Sequence, residues 1–529
     1  MKRLHNTIIG MAILAGTSIC TGCSDDFLQK DSLTAVSSST FWQTEADALN
    51  GLAACYDGMQ NHYVYGGGPW ECGPLNMDCM TDNGGHFNWS GWMAGYDIAN
   101  GIHNSSSWLI GDYWKAHYEV IKRCNTLIDN IDRVEMNASD IALYKAEATV
   151  IRAMMYTNLT MTYNDVPYLT EVQSLANAEV PKTDRATIVA AVMEDLKNAA
   201  RVLPKAASAR GRITQGVALA ALGRLALYNE KWDEAINAYQ QIVQSGSYSL
   251  FPDYTTLFKE ENEGCDEIIF GIRYEGPGLE EGSSIGGHWD TPLEAMNGTI
   301  DLADAFYHLD GKPTADKEVC AYNADGSADL WTLNTSRYEN RDPRLRATLF
   351  IPGMAWNDKD WYYGGAAASY STIYVMKYFN PALSWSTSWD DGQDFYVFRY
   401  AEVLLSLAEA YIEKDDRLDE ATRLINQVRA RAGMPSVEEA EGNGLSQAGL
   451  REVVRHERRV ELAFEGLRLF DLYRWHLLKD AVDRVNAEAS TYNFWYEYRN
   501  YRGEQEYEWP IPQTEIDCNA QLEQNILWQ

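Results

Sequence analysis

The chain has 529 residues, about three ordinary domains' worth or one large assembly. Its 76 Asp and Glu against 44 Lys and Arg leave a formal charge of −32, which phosphate backbones repel, so nucleic-acid binding is excluded as a function class. A hydrophobic fraction of 46% with 23% charged residues excludes wholesale disorder, and 17 Trp, 32 Tyr and 14 Phe are enough to furnish an aromatic binding surface as well as a core.

The first residues read as an export address. Lys2 and Arg3 precede an apolar run from Ile8 to Ile19, too short to span a bilayer comfortably and placed where a secretory signal belongs. It ends in Cys20-Thr21-Gly22-Cys23, which resembles a bacterial lipobox with Cys20 where Leu is preferred. The expected boundaries are a lipoprotein signal peptide over 1–22, lipid attachment at Cys23 and a lipid-anchored tether over 23–40. The alternative is ordinary cleavage with Cys23 a plain thiol. Ser24-Asp25-Asp26 resembles the acidic signal that sends lipoproteins to the outer face of the outer membrane, and is equally a solvated tether. Nine Cys occur, and setting aside Cys20 and Cys23 leaves an odd number, against a complete disulfide framework; Cys72 and Cys79 are close enough to pair. No Cys/His spacing suits zinc, and neither metal nor cofactor is expected.

Helical periodicity then takes over, predicting helices at 41–60, 112–133, 139–163 and 186–203. Residues 215–245 read as a helical hairpin in which Leu222, Gly223, Ala235 and Tyr239 stand at tetratricopeptide offsets; 399–432 reads as a second, with Leu404, Leu407, Ala408, Tyr411 and Ala421. A generic Ala/Leu-rich helical pair would score partly on the same positions. Helix is expected again over 447–486. Two stretches break the pattern. Residues 61–111 are rich in Gly, Asn, Trp and Tyr, and 246–398 hold short β-like runs at Glu267–Ile272 and Ile373–Tyr378 among many Gly, Pro and aromatics. The organisation expected is an N-terminal helical-repeat part (41–245) carrying an aromatic loop (61–111), a loop-rich ligand-binding insertion (246–398), and a C-terminal helical part (399–529) packing on the repeats. A rigid scaffold with decorated loops is a recognition layout.

Catalytic motifs are weak. Gly282-Ser283-Ser284-Ile285-Gly286 satisfies GxSxG but lacks a strand before it and a helix after it, so it reads as a loop. His456-Glu457 starts a zincin-like string with Val460 where the second His is needed. Asn323, Asp325, Gly326 and Asp329 loosely resemble a calcium loop without its closing Glu, and read as a polar turn. A glycosidase-type carboxylate pair stays open, because among 76 acids some pair always has a suitable separation.

A series of segments, in order, resembles the SusD/RagB family of nutrient-binding outer-membrane lipoproteins. They are Cys23-Ser-Asp-Asp-Phe27-Leu28 with Phe41-Trp42 and Ala46-Asp47-Ala48; Asp78 through Asp82-Asn83-Gly84; Trp114, Tyr118, Ile121 and Asn125; and Arg152 with Tyr163-Asn164-Asp165-Val166-Pro167, where Asn164 replaces the family's Gly. Arg341-Asp342-Pro343-Arg344, Arg399-Tyr400-Ala401-Glu402-Val403 and Asn426-Gln-Val-Arg429-Ala-Arg431-Ala-Gly433 follow. The most specific stretch is Glu457-Arg458-Arg459-Val460-Glu461-Leu462-Ala463-Phe464-Glu465-Gly466-Leu467-Arg468, running into Asp471-Leu472-Tyr473-Arg474-Trp475; Trp509-Pro510-Ile511-Pro512 and Gln524-Asn525-Ile526-Leu527-Trp528 close the chain.

The resemblance implies a mainly α fold of about four tetratricopeptide-like repeat units with a loop-rich, partly β insertion subdomain. It implies no catalysis, capture of an oligosaccharide at the cell exterior, and delivery to a SusC-like TonB-dependent transporter in the outer membrane; some relatives take peptides. On their own chemistry Arg458, Glu461, Glu465, Arg468 and Asp471 recur at i, i+3 and i+4, which suits a charge ladder that holds the fold; an active-site carboxylate network is the alternative.

Ligand contacts are expected where flat aromatics can stack on sugar C–H faces and amides or carboxylates can bond hydroxyls. The first loop offers Asp82, Asn83, His86, Asn88, Trp89, Trp92 and Tyr96. The insertion offers His288, Trp289 and Asp290, then Trp356, Trp361, Tyr362 and Tyr363, then Trp385 and Trp389. Trp89, Trp92 and Trp289 lead, with Trp361 and Trp385 behind; any of them could instead pin its loop to the scaffold. The competing functions are a peptide binder on the same scaffold, a secreted glycoside hydrolase, and a structural adaptor with no small ligand.

Overall fold

The computed structural model describes residues 41–529 apart from 67–72, 87–93, 280, 286–295, 316–317, 323, 325–327, 355–372, 381–389 and 493–497. The expected signal peptide, Cys23, the tether and Cys72 thus lie outside the described residues.

The fold is mainly helical. Its principal helices are α1 (Glu45–Met59), α2 (Pro74–Cys79), α3 (Trp108–Asn130), α4 (Ala138–Tyr163), α5 (Arg185–Val202), α6 (Gln215–Tyr228), α7 (Trp232–Ser245), α8 (Tyr400–Glu413), α9 (Leu418–Arg431), α10 (Gln447–Glu461), α11 (Arg468–Arg474) and α12 (Leu478–Tyr492). Local chemistry sets their ends. The Asp47 backbone N–H donates to Thr44 Oγ1 at 3.3 Å and Asp47 Oδ2 accepts from the Thr44 N–H at 2.8 Å, so each caps the other at the start of α1. Asp184 and Ser446 cap α5 and α10 one way only, accepting the backbone N–H of Thr187 and Gly449.

Consecutive helices stack as a repeat scaffold: α1 on α3, α3 on α4, α4 on α5, α5 on α6, α6 on α7, α7 on α8, and α8 on both α9 and α10. Both expected hairpins form. At the α6/α7 crossing a Cβ built on Gly223 would lie 2.5 Å from Tyr239 Cε1, so only glycine allows that approach. Buried Arg224 on α6 donates to both Glu402 carboxylate oxygens of α8, at 2.7 and 2.6 Å, and ties the two hairpins together. The C-terminal segment returns to the N-terminal helices: the Trp509 N–H donates to Thr162 O at 2.6 Å, and its fully buried indole packs edge-on against Tyr113 and Tyr163. α4 ends at Asn164, whose φ of 65° lies in the half of backbone space that favours glycine.

The non-helical parts are smaller than expected. Of the run Ile373–Tyr378 only Tyr374–Val375 is strand, and Tyr378, with φ of 64°, turns the chain three residues later. The 447–486 helix is three helices, α10 to α12. The 61–111 loop holds α2 and strand β1 (Gly84–His86), and residues 73–86 are all buried, so this half of the loop is core and not an exposed platform. The other strands are β2 (Ile268–Ile272), β3 (Met296–Gly298), β4 (Cys320–Tyr322), β5 (Ala328–Leu333), β6 (Leu349–Phe350), β7 (Tyr374–Val375) and β8 (Phe395–Arg399). They form an antiparallel sheet in the order β1-β3-β7-β6 and two separate pairs, β2/β8 and β4/β5. Asp329 of the loosely calcium-like string sits in β5 opposite Ala321, a hairpin position.

Candidate ligand-binding site

The four-stranded sheet decides which loops meet. Its register places Gly84 opposite Gly298 and His86 opposite Met296, with Asn297 opposite Tyr374 and Leu349 opposite Val375. One end of the sheet is therefore made by His86, Met296, Val375 and Leu349, the other by Gly84, Gly298, Ile373 and Ile351. Segment 87–93 leaves β1 at the first end, and segment 286–295 enters β3 beside it. A second link joins 286–295 to 381–389. Ser283 and Asp391 exchange backbone hydrogen bonds of 2.8 and 2.9 Å, and Asn380 Nδ2 donates to Asp391 Oδ1 at 3.1 Å. Segments 87–93 and 286–295 thus meet adjoining strands at one end of the sheet, and 381–389 shares the Ser283/Asp391 bridge with 286–295. The fourth aromatic segment, 355–372, connects β6 to β7 and leaves from the opposite end.

Of the expected ligand residues, Asn88, Trp89, Trp92, Trp289, Trp361 and Trp385 lie outside the described residues. His86 is described: it is buried against Asn76, and burial pushes its imidazole down to about 3, so it is a neutral packing group.

Asp82 and Asn83 correct the sequence-based expectation that they present polar groups to a ligand. Asp82 has no exposed surface. Arg468 donates to both its carboxylate oxygens, at 2.9 and 2.8 Å, Arg484 donates to Oδ2, and Arg459 lies 3.4 Å from the same atom. Burial works to raise the Asp82 carboxyl, but these three guanidiniums outweigh it and hold it well below the usual range. Asn83 donates to Asp78 Oδ1 at 2.7 Å and accepts from Arg459 Nε at 3.0 Å. Asp78 in turn accepts from the Phe464 and Gly466 N–H groups at 3.0 and 2.9 Å, caging the turn where Phe464 and Gly466 have φ of 58° and 76°. Arg499 completes the latch by donating to the carbonyls of Cys79, Thr81 and Gly84. These groups fix the stem of segment 87–93 instead of reaching a ligand.

The charge ladder holds the fold, in a different geometry from a single helix face. α10 ends at Glu461, so Glu465 lies in the following turn and Arg468 opens α11. Arg458 pairs with Asp471 at 3.0 Å. Buried Arg399, from the end of β8, bonds Glu267, Glu461 and Glu465 at 2.9, 2.6 and 2.6 Å, and Arg344 bonds Asp342, Glu457 and Glu461. Burial opposes ionisation of Glu461, but Arg431, Arg399 and Arg344 outweigh it and keep the carboxylate charged. The sequence motifs contained Arg399, Arg344 and Arg431; the reading missed Arg499, Arg484 and Glu267, which stand in no motif, and only their neighbourhood in space gives them a role.

Among the described residues the candidate catalytic motifs do not assemble. Ser283 is buried in its bridge and its hydroxyl donates to Gln393 O at 3.2 Å, so it is no nucleophile elbow. His456 stacks on Tyr307 with centroids 4.1 Å apart. Among the described residues no cluster of His, Cys, Asp or Glu is arranged to hold a metal ion. Behind the stems, a cavity of about 350 Å³ is lined by Tyr56, Gln60, Arg210, Arg212, Arg273 and Glu281. Arg210 reaches from it to Glu263 and Asp394 at 2.8 and 2.9 Å; burial first, and then the Asp394 charge, push the Glu263 carboxyl up to about 7.

Comparison with known proteins gives a consistent result. A model described as the SusD family matches residues 267–528, and one described as starch-binding associating with outer membrane matches 26–227. SusD-like protein P25 of Formosa agariphila is 28% identical over 544 residues, spanning 98% of each chain. A crystal structure of a SusD-like carbohydrate binding protein from Bacteroides fragilis aligns with a TM-score of 0.79 at 26% identity, over 92% of this chain and 100% of that one. A laminarin binding SusD-like protein shares the fold with a TM-score of 0.70 at 24% identity, over 92% and 100%.

Proposed function

The chain belongs to the SusD family, and from that premise we propose that it is a non-enzymatic glycan-binding protein of the cell surface that captures oligosaccharide and hands it to a SusC-like TonB-dependent transporter. The observation that carries this reading is the convergence of stems for segments 87–93, 286–295 and 381–389, which carry Trp89, Trp92, Trp289 and Trp385 with Asn88 between them. Three short segments rich in tryptophan, whose described stems are paired with one another on a helical body, would supply what a sugar needs. Flat rings stack on its C–H faces, and interleaved amides bond its hydroxyls. Lipid on Cys23 would anchor the protein to the outer membrane through the 23–40 tether. None of the described helices is long and apolar enough to cross a membrane. The acidic charge favours neutral glycans over sulfated or uronic ones.

The test is a panel of polysaccharides and peptides titrated against residues 24–529, read by tryptophan fluorescence and calorimetry. Saturable binding of one glycan class without product release, lost in Trp89→Ala and Trp289→Ala and kept in Trp361→Ala, is the expected outcome. Binding confined to peptides would overturn the glycan assignment, and release of shortened sugars would overturn the non-enzymatic one.

A further inference from the structure

A groove on the helical body lies between α1 and α3. It has a volume of about 810 Å³. Its floor is apolar, and the first described residues of the chain, Phe41 and Trp42, form one wall. The position of Trp42 is built in. A Cβ on Gly51 of α1 would come within 2.5 Å of its indole, so glycine is what lets the ring lie flat on the helix, where it is buried. Phe41 packs edge-on against it at 5.0 Å. The opposite rim belongs to α3 and is basic: Arg123 is paired with Asp57 and Glu119, and exposed Lys115 and Lys122 stand beside it. A net positive rim is unusual on a chain of charge −32.

We propose that residues 31–40 of this same chain occupy the groove. Three arguments select this occupant. The segment joins the body at Phe41, already a groove wall, so it starts at the right place and closes no long loop. Ten extended residues reach ~33 Å, while the groove wall from Lys115 to Thr126 runs ~17 Å along a helix, so the segment is long enough with slack. Its chemistry matches. Leu33 and Val36 suit the apolar floor, and Asp31, with Asp25 and Asp26 further out against one cation, Lys30, suits the basic rim. Docking would shorten the free tether from eighteen residues (23–40) to eight (23–30), and its greatest reach from ~60 Å to ~26 Å. The groove would thus act as a cleat that fixes how far the loop-stem face stands from the membrane. The consequence for standoff rests on lipid attachment at Cys23; the docking itself does not.

The experiment follows backbone hydrogen exchange of residues 31–40 in the chain 24–529, which has no Cys23 and so separates docking from lipid anchoring. Amides around Leu33 to Val36 should exchange at least tenfold more slowly than in a free peptide of the same sequence. Leu33→Asp with Val36→Asp should restore the free-peptide rate while α1 and α3 keep theirs. Lys115→Glu with Lys122→Glu should weaken protection, and adding Asp31→Lys should bring it back, a rescue that a merely unfolded groove could not give. A photo-crosslinker at residue 36 should capture peptides of α1 or α3. Free-peptide rates in the unaltered chain, capture of any other surface, or protection that grows with protein concentration, as a second copy would cause, each overturns the proposal.

Discussion

Asp82 shows how one buried carboxylate can be mistaken for a binding group. It is surrounded by Asn, Gly and Trp in sequence, a setting that suits sugar recognition, yet its partners Arg459, Arg468 and Arg484 arrive from more than 370 residues away and take its whole carboxylate. Removing one member of such a buried cluster leaves charges without partners and costs about 3–5 kcal/mol. Asp82→Ala should therefore lower the stability of the whole chain by that order in chemical denaturation. Arg484→Ala should cost under ~1 kcal/mol, since its side chain is 39% exposed and water replaces the lost pair. Equal, small effects from both would sink the latch and return Asp82 to the ligand. At this scale the sequence showed which residues were charged and recurrent, as in Glu457 to Asp471, but not which faced inward. A carboxylate's partner is a matter of tertiary proximity, and Arg499, which clamps three carbonyls of the 79–84 segment, has no local pattern at all.

Helical hairpins were legible because their packing is written at fixed offsets. Gly223 and Tyr239 are such a pair: the ring of one fills the space left by the other. Gly223→Ala should cost about 1–3 kcal/mol, because the added methyl meets an aromatic ring that is itself enclosed between α6 and α8. The same substitution at Gly449, in the first turn of α10, meets no atom closer than 3.5 Å and should stabilise by up to ~1 kcal/mol through helix propensity alone. Thermal unfolding of the two variants should shift in opposite directions; a shared sign would mean that helix propensity, not the close approach, governs position 223. Where elements were misread, a left-handed residue lies just beyond the true end. The helix expected through 447–486 ends at Glu461, and Phe464, held by Asp78, turns left-handed three residues on; the strand expected through Tyr378 ends at Val375, three residues before Tyr378 takes a positive φ. Neither Phe nor Tyr announces a positive φ, so periodicity ran on past both points.

For the molecule as a whole, buried titratable groups pull stability in opposing directions with pH. Burial raises Asp78 and Asp391 to about 6, and burial with Asp394 raises Glu263 to about 7. These take up protons in the folded state before the unfolded state does, so they add stability as pH falls from 7 towards 5. Burial lowers His86, His103 and His456 to about 3 and His117 to about 4. The unfolded chain protonates these below about 6.5 while the folded one does not, so they remove stability over the same interval. The two sets oppose each other, so the melting temperature should change less between pH 5 and 7 than either set alone would cause. Below about 4.5 the balance ends. Asp82, Glu457, Glu461, Glu465 and Asp471 are held ionised by their arginines against the pull of burial, and their stabilisation is lost as the unfolded carboxylates gain protons and the folded ones cannot. A pH series of calorimetric scans should show a shallow region and then a steep fall in one cooperative transition, because the arginine–carboxylate network joins α10 and α11 to β8, the 341–344 turn and the residues leading into β1 and β2. Stability that climbed steadily down to pH 4 would mean that the network is not ionised and that the scaffold is held by apolar packing alone.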